Sequence, residues 1–249
     1  MRPIVLIVGH GSRDATANEE FEQLVARYQA RRPEIELRHG YIELAQPSLP
    51  NALAGIPGGC TDVTILPLFL FVAGHVKNDI PMALTGIRRQ RPEICFTAAR
   101  ALGVHPALAE LAIERAGEVA DLEKAEAART AVIVVGRGSS DPDANGDFCK
   151  VARLIGEARP FTWVVPSFIG ITRPRFEETL EFVARARPER LLVIPYLLFG
   201  GRLLSQLREQ VLGFRARYPW IKMAVAPQLG VHERLMAVLD ERFAEACNG

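Results

Sequence analysis

Two kinds of apolar patterning alternate along the chain. Unbroken runs rich in Val, Ile, Leu and Phe, bounded by glycine or proline, occupy 3–8, 35–42, 61–71 and 94–101. Such runs suit strands of a parallel sheet covered on both faces. Between them the spacing changes. In 18–31, Phe21, Leu24, Val25 and Tyr28 fall at i, i+3, i+4 and i+7, one face of a helix. Residues 77–91 and 106–118 have a similar pattern, the latter with Pro106 at its start. Strands alternating with helices predict small open α/β domains.

The pattern is written twice. "IVLIVGHGSRDATANEEF" at 4–21 returns as "AVIVVGRGSSDPDANGDF" at 131–148. An offset of 127 positions pairs Gly9 with Gly136, Gly11 with Gly138, Ser12 with Ser139, Asp14 with Asp141, Asn18 with Asn145 and Phe21 with Phe148. "PLFLFVAGHVKNDI" (67–80) corresponds to "PYLLFGGRLLSQL" (195–207), and "LGVH" (102–105) to 229–232. Three segments sharing one offset indicate tandem duplication. The expected organisation is two α/β domains, 1–122 and 130–249, joined by the charged, alanine-rich 117–130. Each has an open parallel sheet, and the two face each other across a cleft.

Composition narrows the partners. The 249 residues are 49% hydrophobic with net charge +1, enough for a real core and no pull toward nucleic acid or an anionic membrane. Cys60, Cys95, Cys149 and Cys247 are scattered without a CxxC pair, which favours thiols in a reducing cytoplasm over disulfides or zinc. "IVLIV" is too short for a signal peptide, and no stretch approaches the roughly 20 apolar residues of a membrane span.

Ligands of open α/β sheets bind beyond the carboxyl ends of the strands. There the first half places His10 after its first strand, Glu43 after its second and His75 after its third. Two imidazoles and a carboxylate suit Fe(II), Co(II), Ni(II) or Zn(II) better than Mg²⁺ or Ca²⁺. Gly9, Gly11 and Gly74 are expected to leave room for something large beside them. The second half keeps the flanking glycines but has Arg137, Gly170 and Arg202 where the first has His10, Glu43 and His75. A histidine needed for folding would be needed in both copies. His105 and His232 occur in both, just before a helix, and read as structural caps. For Arg137 and Arg202 the plain alternative is an exposed salt bridge of little worth. The sharper reading is recognition of carboxylates on a metal-seeking poly-acid.

Other motifs carry less. "LRHG" (37–40) resembles the histidine phosphatase motif but lies on the second strand and lacks the following threonine. "GHGSRD" and "GRGSSD" begin like a dinucleotide fingerprint yet place aspartate at the last position, and there is no P-loop. A hydrolase using His10 as base lacks a convincing nucleophile, Ser12 being too near in sequence.

"GHGSRD", "YIELAQPS" and "FLFVAGHVKNDIP" resemble the class II tetrapyrrole chelatases of the CbiX/SirB type, which insert cobalt or iron into sirohydrochlorin. The resemblance covers both halves and implies the long, two-domain form, ATP-independent insertion, and His10 and His75 as metal ligands. Glu43 matches the acidic position of the family's second motif, as third ligand or proton acceptor. Arg137 and Arg202 become candidates for substrate carboxylates, with Arg13, Lys77 and Ser12 as weaker ones. The implied activity is sirohydrochlorin cobaltochelatase in cobalamin biosynthesis, with Fe²⁺ or Ni²⁺, or a non-catalytic metal- or tetrapyrrole-binding protein, as alternatives. The metal is then a substrate and no permanent cofactor is expected. The chain ends "FAEACNG", without the His-rich or cysteine-rich tail of some long members, so no iron–sulfur cluster is expected. A duplicated chain is expected to be a monomer or a weak homodimer.

Overall fold

The computed structural model describes residues 3–248, apart from the side chain of His75. Its strands are β1 (Ile4–Gly9), β2 (Glu36–Tyr41), β3 (Asp62–Pro67), β4 (Cys95–Ala98), β5 (Thr130–Gly136), β6 (Trp163–Phe168), β7 (Arg190–Pro195) and β8 (Lys222–Val225). Its α-helices are α1 (Ala15–Arg31), α2 (Leu49–Ala54), α3 (Ile80–Gln90), α4 (Pro106–Gly117), α5 (Lys124–Ala127), α6 (Pro142–Ala158), α7 (Phe176–Arg185), α8 (Arg202–Arg217) and α9 (Glu233–Asn248). The strands form two all-parallel sheets with the same order, β2-β1-β3-β4 and β6-β5-β7-β8.

Every residue of β1 and of β5 is buried, so both faces of each sheet are covered. On one face of the first sheet, Ile4, Leu6 and Val8 pack with Leu49, Leu53, Ile80, Leu84 and Ile87 from α2 and α3. On one face of the second, Ala131, Ile133 and Val135 pack with Phe176, Leu180, Val183, Leu207, Val211 and Phe214 from α7 and α8. The expected third strand, 61–71, is shorter in the structure. It ends at Pro67, and the chain beyond bonds to the 102–103 turn through Phe69 and Leu70 carbonyls. The six-residue α2 was not expected, being too short to display a helical period. Leu49, Ala52 and Leu53 nonetheless bury one face of it.

The compact units do not divide where the sequence repeats do. One comprises 1–103 with 231–249, the other 104–230. Each repeat thus gives its last helix to the unit built on the other repeat's sheet: α9 lies in the first unit and α4 in the second. The chain passes between units just after Gly103 and Gly230, at φ +71° and +65°, a region where a side chain is disfavoured. The fastenings repeat too. Buried Arg242 of α9 donates to the Ala101 and Leu102 carbonyls, at 3.1 and 2.8 Å. Arg115 of α4 donates to the Leu229 carbonyl at 3.0 Å.

Candidate active site

His10 follows β1 directly, where β2 and β3 diverge to either side, the crevice where open α/β sheets bind ligands. The strand pairing continues one step past the sheet: Ile42 N–H donates to Gly9 O and Glu43 N–H to His10 O, both at 3.0 Å. This carries Glu43 alongside His10. Glu43 sits in a tight turn, its carbonyl accepting from Ala45 N–H at 2.9 Å. Leu44, inside that turn, has φ +63°. A branched residue there costs about 1–3 kcal/mol, a cost that persists only where surroundings enforce it. Among the described residues the only other non-glycine positive φ is at Arg187, so the turn at Ile171 in the second unit lacks it.

The imidazole is oriented at both nitrogens. Nδ1 lies 3.0 Å from the Gly11 carbonyl, which only accepts, so the proton resides on Nδ1. Nε2 lies on the Glu43 side of the ring, 3.5 Å from Glu43 Oε1. This separation is long for a charge-assisted hydrogen bond, normally about 2.7–2.9 Å. Two ligands each about 2.1 Å from a tetrahedral ion sit about 3.4 Å apart, which fits. Both side chains are partly exposed, 24% and 47%, so the pair is reachable. The Phe69 ring, 6.4 Å from the imidazole, adds an apolar wall.

The third expected ligand follows β3 on a π-helical turn, His75–Asp79, that runs into α3. Such turns recur at functional sites. The His75 side chain itself lies outside the described residues. Among the described residues, no group of three or more His, Cys, Asp or Glu side chains is placed to hold a metal ion. Lys77 is exposed on the same turn, and Arg13 is exposed beside Ser12.

Gly9 and Gly11 do not hold space open, contrary to expectation. A Cβ at Gly9 would meet Phe21 at 2.7 Å, and one at Gly11 would meet Glu43 O at 1.8 Å. These glycines allow protein to approach protein, as at Gly136, where Phe148 takes the place of Phe21. Gly74 does border open space, with nothing within 4 Å of an added Cβ.

Residues shared by the repeats build the same turn twice. Ser12 N–H donates to Asn18 Oδ1 (2.9 Å), Asn18 Nδ2 to Ser12 O (2.9 Å) and Asp14 N–H to Ser12 Oγ (3.0 Å). Ser139, Asn145 and Asp141 do likewise at 2.9, 2.8 and 3.0 Å. That turn accounts for serine at position 12. His105 and His232 accept through Nδ1 from Ala107 and Arg234 N–H, both at 3.2 Å, as caps do. His39 of "LRHG" is a strand residue set edge-on to Phe21 and Tyr41. In the second unit Arg137 and Arg202 are both exposed, at the ends of β5 and at the start of α8. The sequence reading missed Arg173 and Arg175, which stand at the 127-residue offset from Gln46 and Ser48.

The CbiX family model matches residues 4–119 and again 131–246. The chain belongs to the CbiX family. Sirohydrochlorin cobaltochelatase of Priestia megaterium is 33% identical over 246 residues, covering 98% of this chain and 80% of that protein. Sirohydrochlorin ferrochelatase of Bacillus subtilis is 26% identical over 98% of this chain and 92% of its own length. A solved structure of SirB from Bacillus subtilis with Fe³⁺ superposes with TM-score 0.85 at 26% identity, covering 100% of this chain and 97% of that one. The CbiX match to each half independently restates the duplication. The four cysteines are all free thiols, and among the described residues no helix is long and apolar enough to cross a membrane.

Proposed function

We propose that this CbiX-family chain is a chelatase inserting a divalent metal ion into sirohydrochlorin without ATP, with Co²⁺ as the metal and cobalamin biosynthesis in the cytoplasm as the setting. The observation that carries the site assignment is the His10–Glu43 pair, with an imidazole nitrogen and a carboxylate oxygen at tetrahedral ligand spacing. The metal is substrate. His10 Nε2 and Glu43 Oε1 hold the ion, with His75 as the third ligand from the adjacent strand end. As the ion enters the macrocycle, two pyrrole nitrogens release protons and the protein ligands let go. A neutral imidazole and the Glu43 carboxylate then accept one proton each and pass them to solvent, general-base assistance worth about 10²–10⁴-fold. Holding ion and macrocycle together supplies proximity. Arg137 and Arg202 take substrate carboxylates, with Arg13 and Lys77 as further cations and Ser12 a lesser contact. Cobalt is favoured by the 33% identity to a cobaltochelatase; the donor set itself accepts Co(II), Fe(II) and Ni(II) alike.

The test is anaerobic visible spectroscopy of sirohydrochlorin with Co²⁺, Fe²⁺ or Ni²⁺, since insertion shifts the absorption bands. The fastest turnover is expected with Co²⁺; a faster rate with Fe²⁺ would reassign the metal. His10→Ala is expected to abolish insertion and weaken Co²⁺ binding at least about tenfold while leaving the melting temperature near wild type, because one ligand is lost and no core is disturbed. Wild-type turnover in that variant would refute the ligand assignment.

A further inference from the structure

The second unit gathers arginines at the starts of the helices that follow its strands. In the first unit Ser48 caps α2, its hydroxyl accepting from Asn51 N–H at 3.4 Å. The matching residue in the second unit is Arg175, at the N-cap of α7, where Glu178 accepts from the Arg175 N–H but the guanidinium, having no acceptor, cannot cap the helix as Ser48 does. Arg202 is the first residue of α8, whose N-cap, Gly201, offers no side chain either. Guanidiniums at helix starts oppose the macrodipole, and losing a serine cap commonly lowers stability. Acids offset part of this at two of the three helices: α7 carries Glu177 and Glu178 in its first turn, and α6, which follows β5, has Asp141 capping and Asp143 in its first turn, whereas the first turn of α8 has none.

The sheet order places these cations together. Arg173 and Arg175 follow β6, Arg137 follows β5 and Arg202 follows β7, three neighbouring strand ends. Arg175 Nη1 donates to the Gly170 carbonyl, pinning its guanidinium at the residue that corresponds to Glu43. No acid is accommodated there: a Cβ on Gly170 would meet Arg137 O at 2.8 Å. Glu178 offsets part of the charge, pairing with Arg173 at 2.6 Å and accepting from Arg175 N–H at 3.0 Å.

We infer that Arg173 and Arg175, beside Arg137 and Arg202, make the carboxyl rim of the second unit a carboxylate-binding face. Its ligand is the polycarboxylate macrocycle of the proposed function, on which this inference rests. Four guanidiniums at three neighbouring strand ends outnumber the two acids, Glu177 and Glu178, in the first turn of α7, and guanidinium matches carboxylate in two parallel hydrogen bonds.

The decisive variant is Arg175→Ser, which restores the capping residue of the first unit. Metal-free sirohydrochlorin binding is followed by fluorescence, insertion by visible spectra, Co²⁺ binding by calorimetry and folding by thermal melting. The expected result is a melting temperature equal to or above wild type, unchanged Co²⁺ affinity, and Kd and KM for sirohydrochlorin raised about tenfold. The salt dependence of Kd should become shallower. Arg173→Gln should move Kd in the same direction. Wild-type Kd and KM in both variants would overturn the inference. So would a parallel fall in melting temperature, Co²⁺ affinity and sirohydrochlorin affinity, which would make Arg175 a loop clasp. The binding readout needs no turnover. A wild-type protein that binds sirohydrochlorin through these arginines yet inserts no metal would refute the insertion reaction and support the arginine face.

Discussion

At His10, the Nδ1 contact to the Gly11 carbonyl and the +87° φ of Gly11 belong to one arrangement. The left-handed residue turns its carbonyl back to the Nδ1 edge of the ring, and its missing Cβ lets the Glu43 backbone close on the loop. Gly11→Ala is therefore expected to cost at least about 2 kcal/mol, through strain and displacement of the Glu43 turn. Urea titration gives the stability loss, and Co²⁺ affinity should fall with it. Stability and affinity both at wild-type level would show that the loop tolerates a side chain. The histidine itself was legible in the sequence because its duplicate is arginine. The role of Gly11 was not, because a clash with Glu43 O exists only once two loops distant in sequence are adjacent.

Among elements, α9 most clearly belongs to a sheet that its sequence neighbours do not form. It is held in the first unit by Asp240, which accepts from Tyr28 Oη (3.0 Å), Arg31 Nε (2.8 Å) and Arg32 Nη1 (3.0 Å). Tyr28 is buried, and burial together with Asp240 pushes its phenol well above the ordinary range, so it stays a donor. Asp240→Ala leaves that hydroxyl and two guanidiniums without their shared acceptor, at a cost of about 2–3 kcal/mol. Chemical denaturation should show it; a variant of wild-type stability would mean that α9 is held by packing alone. The period of α9 was visible in the sequence, like that of α1. Its partner sheet was not, since an apolar face carries no address.

For the whole molecule, the exchange of α4 and α9 ties the unit that carries His10, Glu43 and His75 to the far end of the chain. Leu235, Met236, Val238, Leu239 and Phe243 are buried on α9, each worth about 1.5–3 kcal/mol. Their sum rivals the roughly 5–15 kcal/mol that holds a whole domain together. Truncation after Gly230 should thus abolish Co²⁺ binding although His10, Glu43 and His75 all remain, while 104–230 keeps its complete set of helices. Retained Co²⁺ binding would show that the first sheet stands without its borrowed helix. The sequence alone determined the duplication, the parallel α/β class and the split between a copy with His10, Glu43 and His75 and one with Arg137, Gly170 and Arg202. Those follow from local periodicity and from comparing the chain with itself. The tertiary structure decided the exchange of terminal helices, the 3.5 Å spacing of Nε2 and Oε1, and the placing of Arg175 on the Gly170 carbonyl. Each of these depends on which residues meet across long stretches of chain, a choice made by packing and backbone hydrogen bonds that no local pattern encodes.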